Sequence, residues 1–584
     1  MPARIGSNSM DIAQPDQEIR SGPEGPPWVH VFGVREWAWA IVIFAVTFAV
    51  FFPATRGIFL SWDDAINLTD NQDFRGFTLA HLKWMWTNHL MDHYVPITWM
   101  SFGLDYVIWG PNAFGYHLTN VLIHAANALL FFVLALELFR LASSHPPQRA
   151  SVALLSGGAV AALFFGLHPL RVESVAWATE RRDVLSGFSY LLALIAYLRR
   201  FRNTNRPQAG GYWWSLVLFT LAVLSKELTL TLPLVLIVLD IYPLRRFSSS
   251  PRHWFQRDTL GVWIEKTPFF AISIASAAST LYLGMRHGVV DTLGSLGWMP
   301  RIAITLYGMA FYVWKTLLPA GLSPFYPVTP HKIALAGMPF LVSAAAVLLI
   351  TGIAIALRRR APALLAIWVF FSITLVPVGG ILHNGFQIAA DRYTYLACMG
   401  FALLAGAGFA WCWQAMERSN IKRGAIALAV VLVFVALAAQ TRRQITYWLD
   451  SDKLWQRAIA VEPSTLAYTL LGAGYYREGD VLGAMENYRK AIALSPETGL
   501  AHLDLGIALM QLGRWPEAAG EFRIAVQLLP KMAEPHQGLG QALVMVGKPD
   551  EAIDQFHQAL AIQPDNADTR TNLARALLLK DKMR

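Results

Sequence analysis

The stretch LLGAGYYREGDVLGAMENYRKAIALSP, residues 470–496, returns in altered form at residues 504–530 as DLGIALMQLGRWPEAAGEFRIAVQLLP. Three series of residues recur at a constant step of 34: Gly472, Gly506 and Gly540; Ala484, Ala518 and Ala552; Pro496, Pro530 and Pro564. An aromatic residue follows each alanine by four positions, in the series Tyr488, Phe522 and Phe556. A helix–turn–helix unit that packs small residues against large ones gives this period. The sequence therefore predicts a stack of helical hairpins at the end of the chain.

The flanks extend this array in both directions. Asp452 to Pro463 has the pattern of the second helix of a degenerate leading repeat, and Asp568 to Leu579 that of a capping helix that shields the last apolar face. The period and the conserved positions resemble the tetratricopeptide repeat. We therefore predict a soluble repeat domain over residues 446–584. The concave surface of such a solenoid usually holds extended peptide, which favours a protein partner, although an array this short could also merely pack on the rest of the chain.

The composition before the repeats is that of a membrane protein. The 584 residues are 55% hydrophobic and 15% charged, whereas a soluble domain needs about 25% charged residues to cover its surface. The net charge of +9 does not indicate nucleic acid, because residues 450–584 hold 14 Lys and Arg against 17 Asp and Glu. The basic excess therefore belongs to loops that flank membrane spans, where cytoplasmic Lys and Arg accumulate.

Hydropathy predicts an all-α membrane domain over residues 35–445, after a disordered cytoplasmic leader at residues 1–34. Strong apolar runs occur near residues 36–54, 116–139, 151–168, 183–198, 212–225, 227–242, 267–284, 337–357, 362–381, 392–414 and 424–441. A weaker run at 300–318 carries Arg301 and Lys315, and it decides the parity of the topology. If this run does not cross, the cluster Arg358 to Arg360 falls on the cytoplasmic side, as the positive-inside rule favours. We therefore expect about eleven spans, with the repeats outside.

The first external loop, residues 55–115, is longer than a connector needs and begins with Asp63 and Asp64 directly after a span. Loops of this length are usually functional or disordered. A carboxylate at the membrane boundary could accept a proton from an attacking hydroxyl. Because the two residues are adjacent, we expect only one of them to face a site. The alternative is a helix N-cap or a solvated turn.

A second external segment, residues 168–183, violates the positive-inside bias with three arginines, two of which are Arg181 and Arg182. Arginine grips phosphate with forked, charge-assisted hydrogen bonds, and a lipid-borne phosphate is the natural anion at this surface. Pairing with Glu173, Glu180 and Asp183 is the competing interpretation. Charges at other span ends, namely Lys226, Glu227 and the triplet 391–393, are functional candidates because such charges are costly there.

Together these motifs resemble the transmembrane and tetratricopeptide-repeat O-mannosyltransferases, within the C-type membrane glycosyltransferases. The resemblance rests on the double aspartate, Tyr94-Val95-Pro96, Tyr116 to His124, His168-Pro169 with Glu173, Arg181-Arg182-Asp183, Ser225-Lys226-Glu227 and Asp391-Arg392-Tyr393. It covers nearly the whole chain after residue 34. The order of parts, with the spans first and external repeats last, is also similar.

The resemblance implies a fold, an activity and roles for these residues. An enzyme of this type takes a sugar, mannose or another hexose, from a polyprenyl phosphate and places it with inversion on a hydroxyl, here Ser or Thr of a protein. Asp64 or Asp63 would supply the catalytic base. The donor phosphate would be held by Arg181, Arg182, Arg392 and Lys226, with possible support from Glu173, Asp183, Glu227, His168 and Tyr94. The resemblance leaves open which aspartate acts and which of Arg181 and Arg182 points to the donor.

Two other functions remain open at this stage. One is a polymerase or ligase of surface polysaccharide with a polyprenyl diphosphate donor, and the other is a membrane scaffold that recruits proteins through its repeats. The sequence shows no evident metal-ligand set, so a divalent metal requirement stays open, and no cofactor besides the lipid-linked donor is expected. We expect a multi-pass protein with a cytoplasmic N-terminus and extracytoplasmic repeats, in the periplasm of a bacterium or in an equivalent lumen.

Overall fold

The helices of the chain follow the apolar runs and the repeat pattern. The computed structural model describes residues 33–143, 151–201, 209–247, 251–286, 297–327, 337–380 and 387–583. The predicted leader falls almost wholly outside these residues. The helices before the repeats are α1 Val34–Phe51, α2 Leu79–Thr87, α3 Pro96–Trp109, α4 Ala113–Ala142, α5 Val152–Leu167, α6 Val172–Ala176, α7 Arg181–Arg199, α8 Ala209–Val223, α9 Leu232–Ile241, α10 Arg257–Ile264, α11 Thr267–Arg286, α12 Trp298–Leu317, α13 Met338–Ala356, α14 Pro362–Leu375, α15 Thr394–Ala397, α16 Met399–Ala415 and α17 Asn420–Thr446. The predicted all-α class is confirmed.

Within the described ranges, four helical segments are long and apolar enough to cross a membrane: Val34–Arg56, Ala113–Ala142, Met338–Ala356 and Asn420–Thr446. Two bent pairs, Val152–Leu167 with Pro169–Ala176 and Asp391–Ala397 with Met399–Ala415, raise the number to six if each pair is one span. Three shorter helices are also apolar, at Ala209–Val223, Thr267–Leu283 and Pro362–Val378. The chain is thus a membrane protein, while its eleven spans and their orientation stay a prediction.

A polar seam runs through the middle of this bundle, as the spacing of His117, Asn120 and His124 on one face of α4 indicates. The Asn120 amide donates to the carbonyl oxygens of Val175 and Trp177, at 3.2 and 3.1 Å. The His124 ring lies 2.9 Å from the Tyr395 hydroxyl. The seam fixes α4 against the segments before α7 and around α15, and these segments carry the charged motifs.

The residues after α17 form the predicted hairpins. Their helices are α18 Ser451–Val461, α19 Thr465–Arg477, α20 Val481–Leu494, α21 Gly499–Gln511, α22 Trp515–Leu528, α23 Ala533–Met545, α24 Pro549–Ile562 and α25 Ala567–Met583. The small residues face the large ones: a Cβ on Gly472 would lie 2.6 Å from the Tyr488 ring, and one on Gly506 would lie 2.8 Å from the Phe522 ring. The repeat register read from the sequence is therefore confirmed at the level of packing.

The first repeat helices belong to the core of the membrane part. Trp455 of α18 and Leu471 of α19 are buried in the same apolar cluster as the bundle, whereas the cluster that begins at Val481 is separate. Backbone contacts reinforce the junction, because the N–H of Ile58 donates to Leu449 O at 3.0 Å. The array is thus docked on the first external loop at its N-terminal end.

Candidate active site

Asp64 is a fixed part of the loop that follows α1. Its side chain is fully buried, and its Oδ1 accepts hydrogen bonds from the N–H and the hydroxyl of Thr179 at 2.9 and 2.5 Å. Its Oδ2 accepts from the Leu60 N–H at 2.9 Å. Burial raises the pKa of Asp64 to about 6 against these hydrogen bonds, which lower it. Asp64 therefore ties the loop to the segment before α7.

Asp63 has the opposite environment. It is half-buried, and among the described residues its carboxylate accepts no hydrogen bond. Burial raises the pKa of Asp63, and the charges of Arg182 and Arg392 oppose that rise. A one-turn π-helix, Ala65–Thr69, follows directly after Asp64. Of the two aspartates, Asp63 is the one with free lone pairs beside the basic residues.

Those basic residues meet on a single carboxylate. Glu180 lies just before α7 with 2% of its surface exposed, and it contacts three cations from three separate segments. Its Oε1 accepts from Arg182 at 2.9 Å and lies 3.6 Å from Arg392 Nε, and its Oε2 accepts from Lys226 Nζ at 2.8 Å. The structure thus brings the motifs at 180–183, 225–227 and 391–393 together, as a functional site requires.

Arg181 and Arg182 differ as sharply as the two aspartates. The Arg181 guanidinium is fully buried and engaged on each nitrogen, by Asn120, Ser101, the Tyr116 carbonyl oxygen and Asp105, the last at 2.5 Å. Arg182 has 11% of its side chain exposed, and its Nε has no partner within the described part of the chain. Arg182, rather than Arg181, therefore faces the cluster with donors to spare.

Arg392 is held by Glu173, whose two oxygens bind its guanidinium and, at 2.9 Å, its backbone N–H. The guanidinium also lies over the rings of Trp177 and Tyr393, at 5.6 and 5.0 Å from their centres. Its side chain keeps 12% exposure. Glu173 thus orients Arg392 and leaves one edge of the guanidinium for Glu180 and the outside.

The remaining predicted residues support this cluster from behind. Asp183 accepts from Lys226 Nζ at 2.7 Å and from the Ser174 hydroxyl at 2.9 Å. Glu227 binds the His93 ring at 3.2 Å and the Tyr94 N–H at 3.3 Å, which fastens the end of the first external loop to the span end. The Tyr94 hydroxyl donates to Trp86 O at 3.1 Å, away from the cations.

His168 stands apart from the cluster. Its Nε2 lies 3.1 Å from Thr316 O, and its Nδ1 accepts from the Leu170 N–H at 3.3 Å, so both ring nitrogens serve the turn after α5. No described residue of the charged cluster contacts it. The arrangement is that of a structural histidine.

Sequence reasoning placed Glu180 only as a possible local partner of the arginines and did not name Thr179 at all. Both residues lie between Trp177 and Arg181, and this closeness to the motif arginines was the signal that the sequence offered. The aromatic contacts of Trp62 were also missed: its ring stacks on Trp177 at 4.4 Å and meets Trp455 at 5.0 Å. The side chain next to Asp63 therefore touches both the charged segment and the first repeat helix.

No group of three or more His, Cys, Asp or Glu side chains suited to a metal ion occurs in the described ranges. The carboxylates of the cluster are instead paired with cations. The question of a metal requirement stays open on the sequence, and the chemistry below uses none.

Comparison with known proteins gives similarities for both parts of the chain. Tetratricopeptide-repeat family models match residues 469–533 and 543–583. Among solved structures, the first tetratricopeptide repeat of Spaghetti (RPAP3) bound to an HSP90 peptide is 20% identical and covers 20% of this chain and 94% of its own, with a TM-score of 0.19. The C-terminal array is thus matched by family models as well as by its packing.

The longer matches run through the membrane part. Protein O-mannosyl-transferase Tmtc3 of Drosophila melanogaster is 23% identical over 79% of this chain and 55% of its own length, and Tmtc1 of the same organism is 24% identical over 79% and 62%. TMTC4 of Mus musculus is 23% identical over 78% of this chain and 66% of its own. The chain spans between about half and two thirds of the length of these relatives. The resemblance that its motifs predict is confirmed: most of this chain is similar to proteins named O-mannosyl-transferases, with spans first and tetratricopeptide repeats last.

Proposed function

We propose that the chain is an inverting membrane glycosyltransferase that moves a hexose, such as mannose, from a polyprenyl phosphate to a Ser or Thr hydroxyl of a protein. The observation that carries this proposal is the unbonded Asp63 carboxylate near the charges of Arg182 and Arg392, two of the three cations that converge within 3.6 Å of Glu180. A base and an anion-binding site next to each other are what this transfer requires. The names of the relatives support the sugar and the acceptor class.

The reaction is a single displacement. The acceptor hydroxyl oxygen attacks the anomeric carbon on the side opposite the phosphate, and its proton passes to the Asp63 carboxylate. The bond between the anomeric carbon and the phosphate oxygen breaks, and that oxygen leaves with the electron pair. The lipid phosphate therefore gains one negative charge, which Arg182, Lys226 and Arg392 offset. Stabilisation of such developing charge is usually the largest catalytic contribution.

The raised pKa of Asp63 suits this role. An ordinary aspartate, with a pKa near 3.9, is a weak base towards an alcohol, and burial makes the Asp63 carboxylate a stronger one. Asp64 does not offer the same lone pairs, because both of its oxygens accept hydrogen bonds from the protein. We therefore assign the base to Asp63 and a positioning role to Asp64.

The donor class follows from where the cations lie. Lys226 stands between two apolar helices and Arg392 precedes another, so their charges sit at the ends of membrane segments. A lipid anchor holds its phosphate at this depth of the membrane, close to the cations. Nothing holds the phosphate of a soluble nucleotide at this depth. The repeat array, docked beside Asp63 through Trp62 and Trp455, would present the acceptor peptide.

The test is reconstituted transfer with defined donors. The full chain in nanodiscs is supplied with polyprenyl-phosphate mannose, with polyprenyl-phosphate glucose or with a polyprenyl diphosphate sugar, and Ser/Thr peptides are analysed by mass spectrometry. We expect hexose on the peptide from a monophosphate donor only. Asp63→Asn should lower that transfer about 10²- to 10⁴-fold, and Asp73→Asn, an exposed aspartate of the same loop, should not.

The alternatives give other outcomes in the same assay. Transfer only from the diphosphate donor to a glycan would identify a polysaccharide polymerase or ligase. Full rescue of a deletion phenotype by both Asp63→Asn and Arg392→Ala would leave the scaffold function and exclude the enzyme.

A further inference from the structure

We propose that Glu180 is a placeholder for the donor phosphate: in the donor-free protein its carboxylate occupies the position that the phosphate takes when the lipid-linked sugar binds. The inference rests on the proposed function, since it concerns how that donor enters the same site. It assigns to Glu180 a role in positioning and in product release rather than in the chemical step.

The first argument is the geometry of the cations. Arg182, Lys226 and Arg392 come from three separate segments, and Glu180 is the carboxylate that contacts all three, at 2.9, 2.8 and 3.6 Å. A carboxylate and a phosphate present oxygens of similar charge to forked guanidinium donors. The three cations thus already surround a single anionic group.

The neighbouring carboxylates do not share this position. Glu173 binds the guanidinium and the backbone N–H of Arg392, so it holds one cation by its main chain as well as its side chain. Asp183 binds Lys226 and the Ser174 hydroxyl on separate oxygens. Each of them fixes one cation from behind, whereas Glu180 lies between the three.

The second argument is space. The cavity that borders Arg182 is lined by residues that include Asn67, His93 and Thr179, and its volume is about 10 Å³. That is near the least volume that one water molecule requires, and a phosphate needs far more. This cavity reaches neither Lys226 nor Arg392. An anion that contacts all three cations therefore takes the position of the Glu180 carboxylate, whose oxygens lie 2.8 to 3.6 Å from them.

The third argument is charge. Burial opposes ionisation of Glu180, but Lys226, Arg182 and Arg392 outweigh it and hold the pKa of this carboxyl well below its usual range. Glu180 is thus a carboxylate of charge −1, and the phosphodiester of the donor also carries −1. The three cations therefore face the same negative charge before and after the exchange, which matters because an uncompensated buried charge is strongly destabilising.

The same balance bears on product release. Transfer converts the phosphodiester into a phosphomonoester with a second negative charge, which the three cations hold more tightly than the donor. Return of Glu180 to its position competes with that product and speeds its departure. Without Glu180, we expect the product phosphate to remain bound.

The experiment measures phosphate binding in the absence of any sugar. Dissociation constants of inorganic phosphate and of farnesyl monophosphate are determined by titration calorimetry on the full chain in nanodiscs. The variants are Glu180→Gln and, as the matched control, Asp183→Asn, which also removes one buried negative charge beside Lys226 but touches neither arginine. We expect Glu180→Gln to bind both probes at least tenfold more tightly than the natural protein, and at least threefold more tightly than Asp183→Asn, which reports the effect of removing one negative charge.

Several outcomes would overturn the placeholder. Equal tightening in both variants would show an effect of net charge alone, and unchanged binding in Glu180→Gln would show that the phosphate does not need this position. If Glu180→Gln does not fold, Glu180→Asp, one methylene shorter, should still tighten binding severalfold, and no tightening there counts against the proposal. Equal affinity for the two probes would assign the site to a free anion and overturn the lipid donor.

The proposed function and the role of Glu180 can be contradicted independently of each other. Tight phosphate binding without transfer from any sugar donor would sink the proposed function and leave the placeholder. Transfer with phosphate affinity unmoved by Glu180→Gln would sink the placeholder alone.

Discussion

Asp63 and Asp64 are adjacent in the chain, yet three protein donors reach the Asp64 carboxylate and none of the described ones reaches that of Asp63. A buried carboxylate that accepts three hydrogen bonds is part of the fold, because each bond to a charged group contributes about 1.5–3 kcal/mol. A half-buried carboxylate without them is available for chemistry. We therefore assign a structural role to Asp64 and a chemical role to its neighbour Asp63.

We expect Asp64→Asn to destabilise the protein by about 1–3 kcal/mol, because the amide NH₂ then faces the N–H of Leu60 or of Thr179. Asp63→Asn should leave the thermal unfolding midpoint unchanged. Thermal unfolding of both variants in detergent, followed by tryptophan fluorescence, checks this. A lower midpoint for Asp63→Asn together with an unaltered one for Asp64→Asn would reverse the two roles.

The pH dependence of transfer should follow the protonation of Asp63. The base acts only without its proton, so kcat/KM rises with pH through the pKa of Asp63, and burial places that rise above the range of an ordinary aspartate. The charge of Arg182 lowers this pKa, so Arg182→Gln should move the rise to higher pH as well as weaken donor binding. A pH–rate profile of each protein measures the shift. A rise that stays in place in Arg182→Gln would remove Asp63 from the assignment.

At the scale of helices, the repeats show how a single position decides a contact. Gly506 on α21 faces the Phe522 ring, and a methyl group there would come within 2.9 Å of three ring atoms that the surrounding apolar cluster keeps in place. Gly520 on α22 has no atom within 4 Å of its would-be Cβ. Comparing alanine substitutions at these two glycines thus separates the effect of packing on stability from the effect of backbone entropy.

We expect Gly506→Ala to destabilise the repeat array by about 1–3 kcal/mol through overpacking, and Gly520→Ala to stabilise it by about 0.5–1 kcal/mol. Hydrogen exchange of residues 499–528 in the full chain reports both, as faster and slower exchange respectively. Slower exchange in Gly506→Ala would mean that the Phe522 ring moves aside at no cost.

The contact between the repeats and the first external loop is made by the helix α18. Trp455 of α18 is fully buried against Trp62, and Arg457 of the same helix donates to Leu322 O at 3.0 Å. Because Trp62 precedes Asp63, α18 packs behind the residue that we propose as the base. The docked end of the array thus packs on the loop that carries Asp63, and the free end, from Val481 onward, has its own core.

We expect Trp455→Ala to cost about 3–5 kcal/mol and to lower transfer, since the cavity it leaves frees Trp62 and with it Asp63. Leu482→Ala, at an exposed position on α20, is the control and should change neither quantity. Proteolysis after Thr446 and kcat of the full chain are the two readouts. Unaltered kcat in a Trp455→Ala protein that is cleaved faster would separate the docking of the repeats from catalysis.

For the molecule as a whole, the sequence was sufficient to predict the helices but not the side-chain contacts between distant segments. Apolar runs and the 34-residue step predict helices because both are properties of consecutive residues. The partner of Arg181 is Asp105, 76 positions earlier, and no periodicity connects them. The choice between Asp63 and Asp64 depends on donors from Leu60 and Thr179 that reach only Asp64, and the convergence of three cations on Glu180 depends on how three span ends meet.

Each end of the bundle has its own set of paired charged residues. At one end Arg140 lies 3.7 Å from Glu36 and Arg199 lies 3.9 Å from Glu137, so the start of α1 and the ends of α4 and α7 meet there. The Glu180 cluster lies at the other end. On the predicted topology, the first set is cytoplasmic and the cluster is external.

The helix α12 then decides which side holds the repeats. The carbonyl oxygen of Arg301, near its start, lies 2.9 Å from a would-be Cβ of Gly380, just after α14, and Lys315, near its end, donates to Ala320 O at 2.6 Å. The strand Gln387–Ala389 pairs with Tyr326–Pro327 and precedes Arg392. That α12 does not cross stays a prediction from the distribution of charged residues. We predict that reporter fusions after Lys332 and Ala460 are active in the external compartment and that one after Arg359 is active in the cytoplasm. An external Arg359 fusion with a cytoplasmic Ala460 fusion would mean that α12 crosses, and it would separate the repeats from the side on which Asp63 acts.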